Sequence, residues 1–278
     1  MTILQAIFLG VIQGLTEFIP VSSTAHLLIF EHYLGLNLSG QTALVFNVLI
    51  QLGTLLALIV YYREDLWAIV SAMFNALRAR HPFGNKLALL GLYLILATIP
   101  ALVVWVIFKP FVEILFSSPA LEASIRLLVS SLLLFLAEKL GRKSRSLDQM
   151  QWKDSIWVGL AQAIAVFPGA SRSASTISGS MLRQFDRSSA ARFAFLLSVP
   201  VMLAAGLFES LDLLTSQQMS GALLPAVIAG FISATIVGYL AIRWLLHYLA
   251  THSLFVFCIY CAVLGSLMLI VWGISASG

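Results

Sequence analysis

The sequence predicts an all-α polytopic membrane protein, on three observations. Hydrophobic residues fill 60% of the 278 positions and charged residues only 10%, whereas a soluble domain carries roughly 25% charged residues. A chain this poor in charge, with a mean hydropathy of +0.98, cannot cover a water-facing surface, so the lipid bilayer must be its solvent. Second, the apolar residues gather into runs close to the length of about 20 residues that a helix needs to cross a bilayer. Third, two further apolar regions are broken in the middle by short polar segments.

Six runs are long enough to span, at about 42–62, 86–108, 120–138, 189–210, 222–246 and 253–275. The first interrupted region, 2–35, is broken by Pro20-Val21-Ser22-Ser23-Thr24. The second, 155–182, is broken by Pro168-Gly169-Ala170-Ser171-Arg172-Ser173. Each break leaves a second piece too short to cross alone. Non-helical backbone at membrane depth survives only where it is buried in protein or lines a wet cavity. Both regions are therefore expected to be re-entrant helix hairpins. No polar stretch is long enough for a separate soluble domain, so 1–278 reads as a single membrane domain. The N-terminus lacks the basic segment of a removable signal peptide.

The two interrupted regions resemble each other. Gly10, Gln13, Phe18, Ser22 and Phe46 recur as Gly159, Gln162, Phe167, Ser171 and Phe195, each 149 residues later (for example 162−13). One such match means nothing; five at one offset suggest a duplication, with repeats at about 1–140 and 150–278. Each repeat reads as one hairpin plus three spans. Three is odd, so the second repeat enters the membrane upside down, the inverted-repeat plan of many transporters.

Charge fits this layout. Placing the loops after the first, third and fifth spans and the mouths of the second hairpin on one side gathers thirteen of the sixteen Lys and Arg residues there. Lys109 and Arg126 fall toward the other side, and Arg172 lies in the second break. Basic loops stay cytoplasmic, so the first hairpin's mouth faces outward. The same rule accounts for the formal charge of +4 without invoking nucleic acid. Cys258 and Cys261, inside the last span with no ligand cluster near them, read as packing residues. His32, His81, His247 and His252 read as interfacial, and Glu209 and Asp212 as solvated at a span end.

Chemistry concentrates at the breaks. Gln13 and Glu17, four apart, share a helix face. A carboxylate this deep costs roughly 2.5–3.5 kcal/mol on insertion scales and is a functional-site hypothesis by default. Ser22, Ser23 and Thr24 open a half-helix whose free N–H groups and dipole form an anion site, and His26 lies in its first turn as a candidate nucleophile or general acid/base. Alone, Glu17 reads as half of a structural pair and His26 as interfacial; three hydroxyls between them argue for a site. The second break places Ser171, Ser173 and Thr176 around Arg172, the residue type suited to bidentate phosphate recognition. Arg172 can neutralise Glu17 and still clamp a phosphate, since two helix N-termini and a guanidinium outweigh one carboxylate.

Gln13–His26 (QGLTEFIPVSSTAH) and Pro168–Thr176 (PGASRSAST) resemble the two signatures of the bacterial undecaprenyl pyrophosphate phosphatase family, the bacitracin-resistance type, and the resemblance covers nearly the whole chain. It implies hydrolysis of undecaprenyl pyrophosphate to the monophosphate and inorganic phosphate. It also implies the bacterial inner membrane, an outward, periplasm-facing site and a divalent cation, Mg²⁺ or Ca²⁺. By residue it implies Glu17 as catalytic or metal-linked acid, Ser23 and His26 as catalytic, and Ser171, Arg172, Ser173 and Thr176 as phosphate-binding. Arg172 also counts among the catalytic residues, and Ser22 and Thr24 among the phosphate-binding ones. Gln13 stands where many members have Glu; it joins Glu17 as a weak metal candidate and leaves a tight protein-only metal site in doubt. Ala25 and Ala174 stand where Gly is common. Whether His26 attacks directly or activates Ser23 or water stays open, as does a homo-oligomer against a monomer.

The competing reading is a transporter or flippase for a polyprenyl phosphate, which the inverted repeat favours on fold grounds alone. His26 beside Glu17 in a phosphate-binding loop favours the enzyme, since a carrier needs the anion site but no acid/base group.

The thirteen-to-two split of basic residues makes a topology prediction. A cysteine placed in loop 140–150 is expected to resist impermeant thiol reagents in intact cells, and one in loop 212–220 to react. The reverse pattern overturns the orientation.

Overall fold

The computed structural model describes residues 1–36, 40–81, 83–112, 118–167, 169–215 and 223–277. Among the described residues the structure is all-helical, with eleven α-helices and no strand. Five of them, α5 (Lys86–Val112), α6 (Pro119–Leu140), α9 (Arg187–Thr215), α10 (Leu224–Leu249) and α11 (Phe255–Ser277), contain segments long and apolar enough to cross a membrane. A sixth span arises if α3 (Gly40–Tyr61) and α4 (Arg63–Arg78), bent by 74° to one another, count as one. The five spans match the last five of the six runs expected from sequence, and the first run, 42–62, corresponds to α3 alone.

The breaks fall where the sequence puts them. Residues preceding Pro avoid helical backbone, and Ile19, before Pro20, closes α1 (Ile3–Phe18) at φ −64°, ψ 131°. After the break, α2 runs Ser23–Tyr33 from its N-cap Ser22, whose hydroxyl accepts from the Ala25 N–H. The second pair repeats this: α7 (Trp152–Ile164) is followed by α8 (Arg172–Leu182), and N-cap Ser171 accepts from the Ala174 N–H. Side-chain acceptors at that position satisfy one orphan donor of the first turn. Gly169 between them sits at φ +133°, a backbone conformation that needs glycine. Pro168 lies outside the described residues, as do the side chains of Glu209 and Asp212.

Small residues let α1 approach α10. On α1, Gly10 and Gly14 are four apart and meet Gly230, Ala234 and Gly238 of α10, themselves spaced by four. A Cβ on Gly14 would stand 2.8 Å from the Gly238 nitrogen. Lipid tails are as apolar as the helix surfaces, so close backbone packing of this kind drives association. Gly159 on α7 meets Ala97 and Pro100 of α5 in the same way. At the bundle end where the basic residues gather, two buried carboxylates tie the helices together. Glu138 accepts from Arg187 at 2.7 and 2.8 Å, from Lys143 at 2.7 Å and from the Leu254 N–H at 2.7 Å. Asp154 accepts from Arg145 and Arg183, each at 2.7 Å.

The segment after the first span, read from sequence as a loop, contains α4. Ile69, Ala72 and Ala76 are buried on one face, while Trp67, Val70, Phe74 and Leu77 remain exposed on another. Cys258 and Cys261 are buried, unpaired packing residues.

Gly14→Val must push α1 off α10 and carry Glu17, one turn on, with it. Overpacking of this sort costs about 1–3 kcal/mol, so a lowered thermal midpoint and loss of activity are expected together in detergent. Gly273→Val, where an added Cβ meets nothing within 4 Å, is expected to change neither.

Candidate active site

The two helix breaks, 149 residues apart in sequence, meet in space. Arg172 Nη2 donates to Glu17 Oε1 at 2.5 Å, with the carboxylate side chain 5% exposed and the guanidinium 18%. The other carboxylate oxygen, Oε2, accepts from Gln13 Nε2 at 2.9 Å and from the Ser23 hydroxyl at 2.6 Å. Glu17 is thus held by three donors from α1, α2 and α8. Within the second break the Ser171 and Ser173 hydroxyls lie 3.1 Å apart, and the Ser173 hydroxyl donates across to the Ile19 carbonyl of the first at 3.5 Å.

Between the breaks lies a cavity of about 280 Å³. Glu17, Ser22, Ser23, Thr24, Ser171, Arg172 and Ser173 all line it. A narrower annex of about 90 Å³, lined by Gln13, Asn47 and Gln51 among others, opens beside Glu17, Ser23 and Thr24. The first-turn N–H groups of α2 and α8 have no intrahelical acceptors, and each helix start carries roughly half a positive charge. Arg172 and Glu17 cancel formally, so the two helix ends leave the cavity positive overall. Ser22, at φ +68°, holds a left-handed conformation that non-glycine residues adopt only where surrounding structure imposes it.

Two expected residues stand apart from the cavity wall. Thr176 donates to the backbone oxygens of Arg172 and Ser173 at 2.8 and 3.3 Å, bracing the first turn of α8. His26, 4% exposed, turns toward α11. Its Nδ1 lies 2.8 Å from the Ser22 carbonyl and its Nε2 2.7 Å from the Tyr260 hydroxyl. A carbonyl only accepts, so Nδ1 carries a proton and, in the neutral ring, Nε2 accepts from Tyr260. The hydrogen-bond partner of the Ser23 hydroxyl is Glu17, not His26.

The cavity also gathers residues that sequence reasoning did not single out as site residues. Arg126 on α6 lines it while bonded to Glu122 at 2.7 Å. Gln51 on α3 and Gln162 on α7 also line it. Each is a polar side chain inside an apolar run, which is the available signal, though only Gln162 carried a second one through its match to Gln13.

Among the described residues, no three His, Cys, Asp or Glu side chains come together. The donors near Glu17 are hard oxygens: one carboxylate, the Gln13 carboxamide and the hydroxyls. Such a set suits Mg²⁺ or Ca²⁺ that takes most of its ligands from water and bound phosphate; it does not make an all-protein cage.

Residues 6–267 match the family model described as bacitracin resistance protein BacA. Curated relatives include an undecaprenyl-diphosphatase of Chloroherpeton thalassium, 41% identical, with 97% of this chain and 96% of the relative covered. The undecaprenyl-diphosphatase of Myxococcus xanthus is 40% identical over 97% of this chain and 89% of its own. That of Synechococcus sp. strain WH7803 is 42% identical over 97% and 93%. With residues 6–267 matched and relatives about 40% identical over nearly the whole chain, the chain belongs to the bacitracin resistance protein BacA family.

Proposed function

We propose that this protein is an integral membrane hydrolase that cleaves undecaprenyl diphosphate to undecaprenyl phosphate and inorganic phosphate. The observation that carries this reading is the convergence of two half-helix N-termini on one cavity that also holds Arg172 and Glu17. Size is consistent with it. At about 30 Å³ per water-sized group, a cavity of about 280 Å³ admits a diphosphate but not a polyprenyl tail. The tail would lie along the apolar helix surfaces, already in its natural solvent.

The frame for this chemistry is a single membrane domain of two inverted repeats, about 1–140 and 150–278. Each consists of a re-entrant hairpin (α1–α2, α7–α8) and three spans. The pairing of helices supports it: α1 packs on α10 while α7 packs on α5, so each hairpin rests on the second span of the other repeat. The basic end of the bundle would face the cytoplasm and the cavity would face the periplasm from the inner membrane.

Catalysis needs positioning and charge stabilisation more than unusual reactivity. Ser22, Thr24, Ser171 and Ser173, with the helix N–H groups, cradle the phosphoryl oxygens, and Thr176 fixes the turn that presents Arg172. Arg172 forks onto the diphosphate while remaining tied to Glu17. Glu17 accepts the proton of the attacking group, Ser23 or a water in its place, as that oxygen bonds to the terminal phosphorus. The P–O–P bond breaks, and its bridging oxygen leaves with undecaprenyl phosphate. Where Ser23 attacks, water then cleaves the phosphoserine, freeing Ser23 and inorganic phosphate. Glu17 and Gln13 are the residues that would hold a divalent cation, which would supply neutralisation of the phosphate charge. His26 holds the Ser22 carbonyl against α11 and is assigned to the reaction through that turn.

Arg172→Lys keeps the charge and loses the fork. A fall of at least tenfold in kcat/KM is expected, about 1.4 kcal/mol of transition-state stabilisation. Near-normal kinetics would reduce Arg172 to a counter-charge.

His26 and Glu17 separate in one titration of Mg²⁺ and Ca²⁺ against phosphate release and lipid binding. His26→Ala frees the Ser22 turn and is expected to lower turnover and the binding of a non-hydrolysable diphosphate lipid together. Loss of turnover with binding kept within a few fold would instead place His26 in the chemistry. Glu17→Gln is expected to weaken the cation dependence of both binding and rate. An unchanged cation requirement leaves Glu17 as the structural partner of Arg172.

A further inference from the structure

Gln162 lies on α7 among the residues that line the cavity, 2% exposed. Neither its Nε2 nor its Oε1 has a hydrogen-bond partner among the described residues. A buried carboxamide left unsatisfied is destabilising, because it has given up water and received nothing in return. Most buried polar side chains around this cavity avoid that cost. Glu17 has three donors, and the Ser171 and Ser173 hydroxyls bond each other.

The repeat offset explains why Gln162 differs. Its counterpart Gln13 donates Nε2 to Glu17, one helical turn on, at 2.9 Å. The position 149 residues after Glu17 (17+149) is Val166, which also lines the cavity. A valine offers no acceptor, so the internal bond that satisfies Gln13 is absent for Gln162. Gln162 can take the missing partners from a molecule bound in the cavity that it lines. Its neighbours there include two guanidiniums, Arg172 and Arg126, which have only donors to offer.

We propose that Gln162 is a substrate-binding residue. Nε2 donates to a non-bridging phosphoryl oxygen of the diphosphate, and Oε1 accepts from a water held against the same phosphate. This rests on the diphosphatase reading above and deepens it: the wall of α7 contributes a neutral, directional contact opposite the charged ones. A neutral donor discriminates by geometry without adding to the charge that must be desolvated.

The test uses the full chain purified in detergent, with Gln162→Leu and Gln162→Glu. Phosphate release from undecaprenyl diphosphate gives kcat and KM, and thermal unfolding is followed with and without inorganic pyrophosphate as the probe. In Gln162→Leu, KM is expected to rise at least tenfold. The pyrophosphate-induced rise in the unfolding midpoint should disappear, and the ligand-free midpoint should hold or increase, because a buried unsatisfied group has been removed. Gln162→Glu sets a carboxylate against the phosphates and should raise KM further. A KM within twofold of the parent and an intact pyrophosphate shift in Gln162→Leu overturn the proposal. So does a lowered ligand-free midpoint with KM unchanged, or failure of both variants to fold, since each makes Gln162 a packing residue. If the parent protein releases no phosphate yet is stabilised by pyrophosphate, the hydrolase reading fails, while loss of that stabilisation in Gln162→Leu still supports the contact.

Discussion

The Glu17–Arg172 bond is the interaction on which the site depends. Both groups sit at breaks in apolar helices, where neither charge is tolerable alone. Removing one partner of a buried pair leaves an uncompensated charge and typically costs several kcal/mol. Each break supplies one partner, so neither α1–α2 nor α7–α8 can complete the site by itself. The pair also sets the distance between the two half-helix N-termini, because Arg172 is the first residue of α8 and Glu17 is joined to Ser23, the first of α2.

Arg172 keeps more of its surface open than Glu17 does. A guanidinium has five donors in a fixed fork, so one bond to Glu17 leaves others for a ligand. The carboxylate is the more fully engaged partner, surrounded by Gln13, Ser23 and Arg172. Packing fixes this arrangement before any ligand arrives: Gly14 lets α1 lie against α10, and the Ser22 and Ser171 caps set the entry of the half-helices. Preorganised dipoles of this kind need no reorganisation at the moment of reaction.

The parts legible in sequence were those coded by local pattern. Apolar runs of span length, the Pro20 break, and the cap serines each act within a few residues of themselves. The segment beyond Tyr61 was not legible as a helix because Arg63, Glu64, Asp65, Arg78 and Arg80 gave it the composition of a loop. Its helical character lies in the spacing of Ile69, Ala72 and Ala76, which pack inward. His26 shows the opposite limit. Nine residues from Glu17 in sequence, it takes its side-chain partner, Tyr260, from 234 residues away. Nothing local foretells that partner. Arg126 and Gln51 reach the cavity only because the spans assemble around it.

The proposed duplication divides the labour unevenly, and the unevenness is physically sensible. At the 149-residue offset the frame elements correspond: Ser22 with Ser171, Ala25 with Ala174, Gln13 with Gln162. Both serines cap their half-helices through the N–H three residues on. The charged and reactive positions differ in residue type: at the same offset Glu17 is matched by Val166, Ser23 by Arg172 and His26 by Ser175. Two identical halves would have placed two carboxylates, or two guanidiniums, across a low-dielectric gap, where like charges repel strongly. One half carrying the acid and the other the base turns that repulsion into the bond that holds the cavity together. The anion cradle needs only backbone and hydroxyls, so it can be the same in both halves; the charges that complete it cannot.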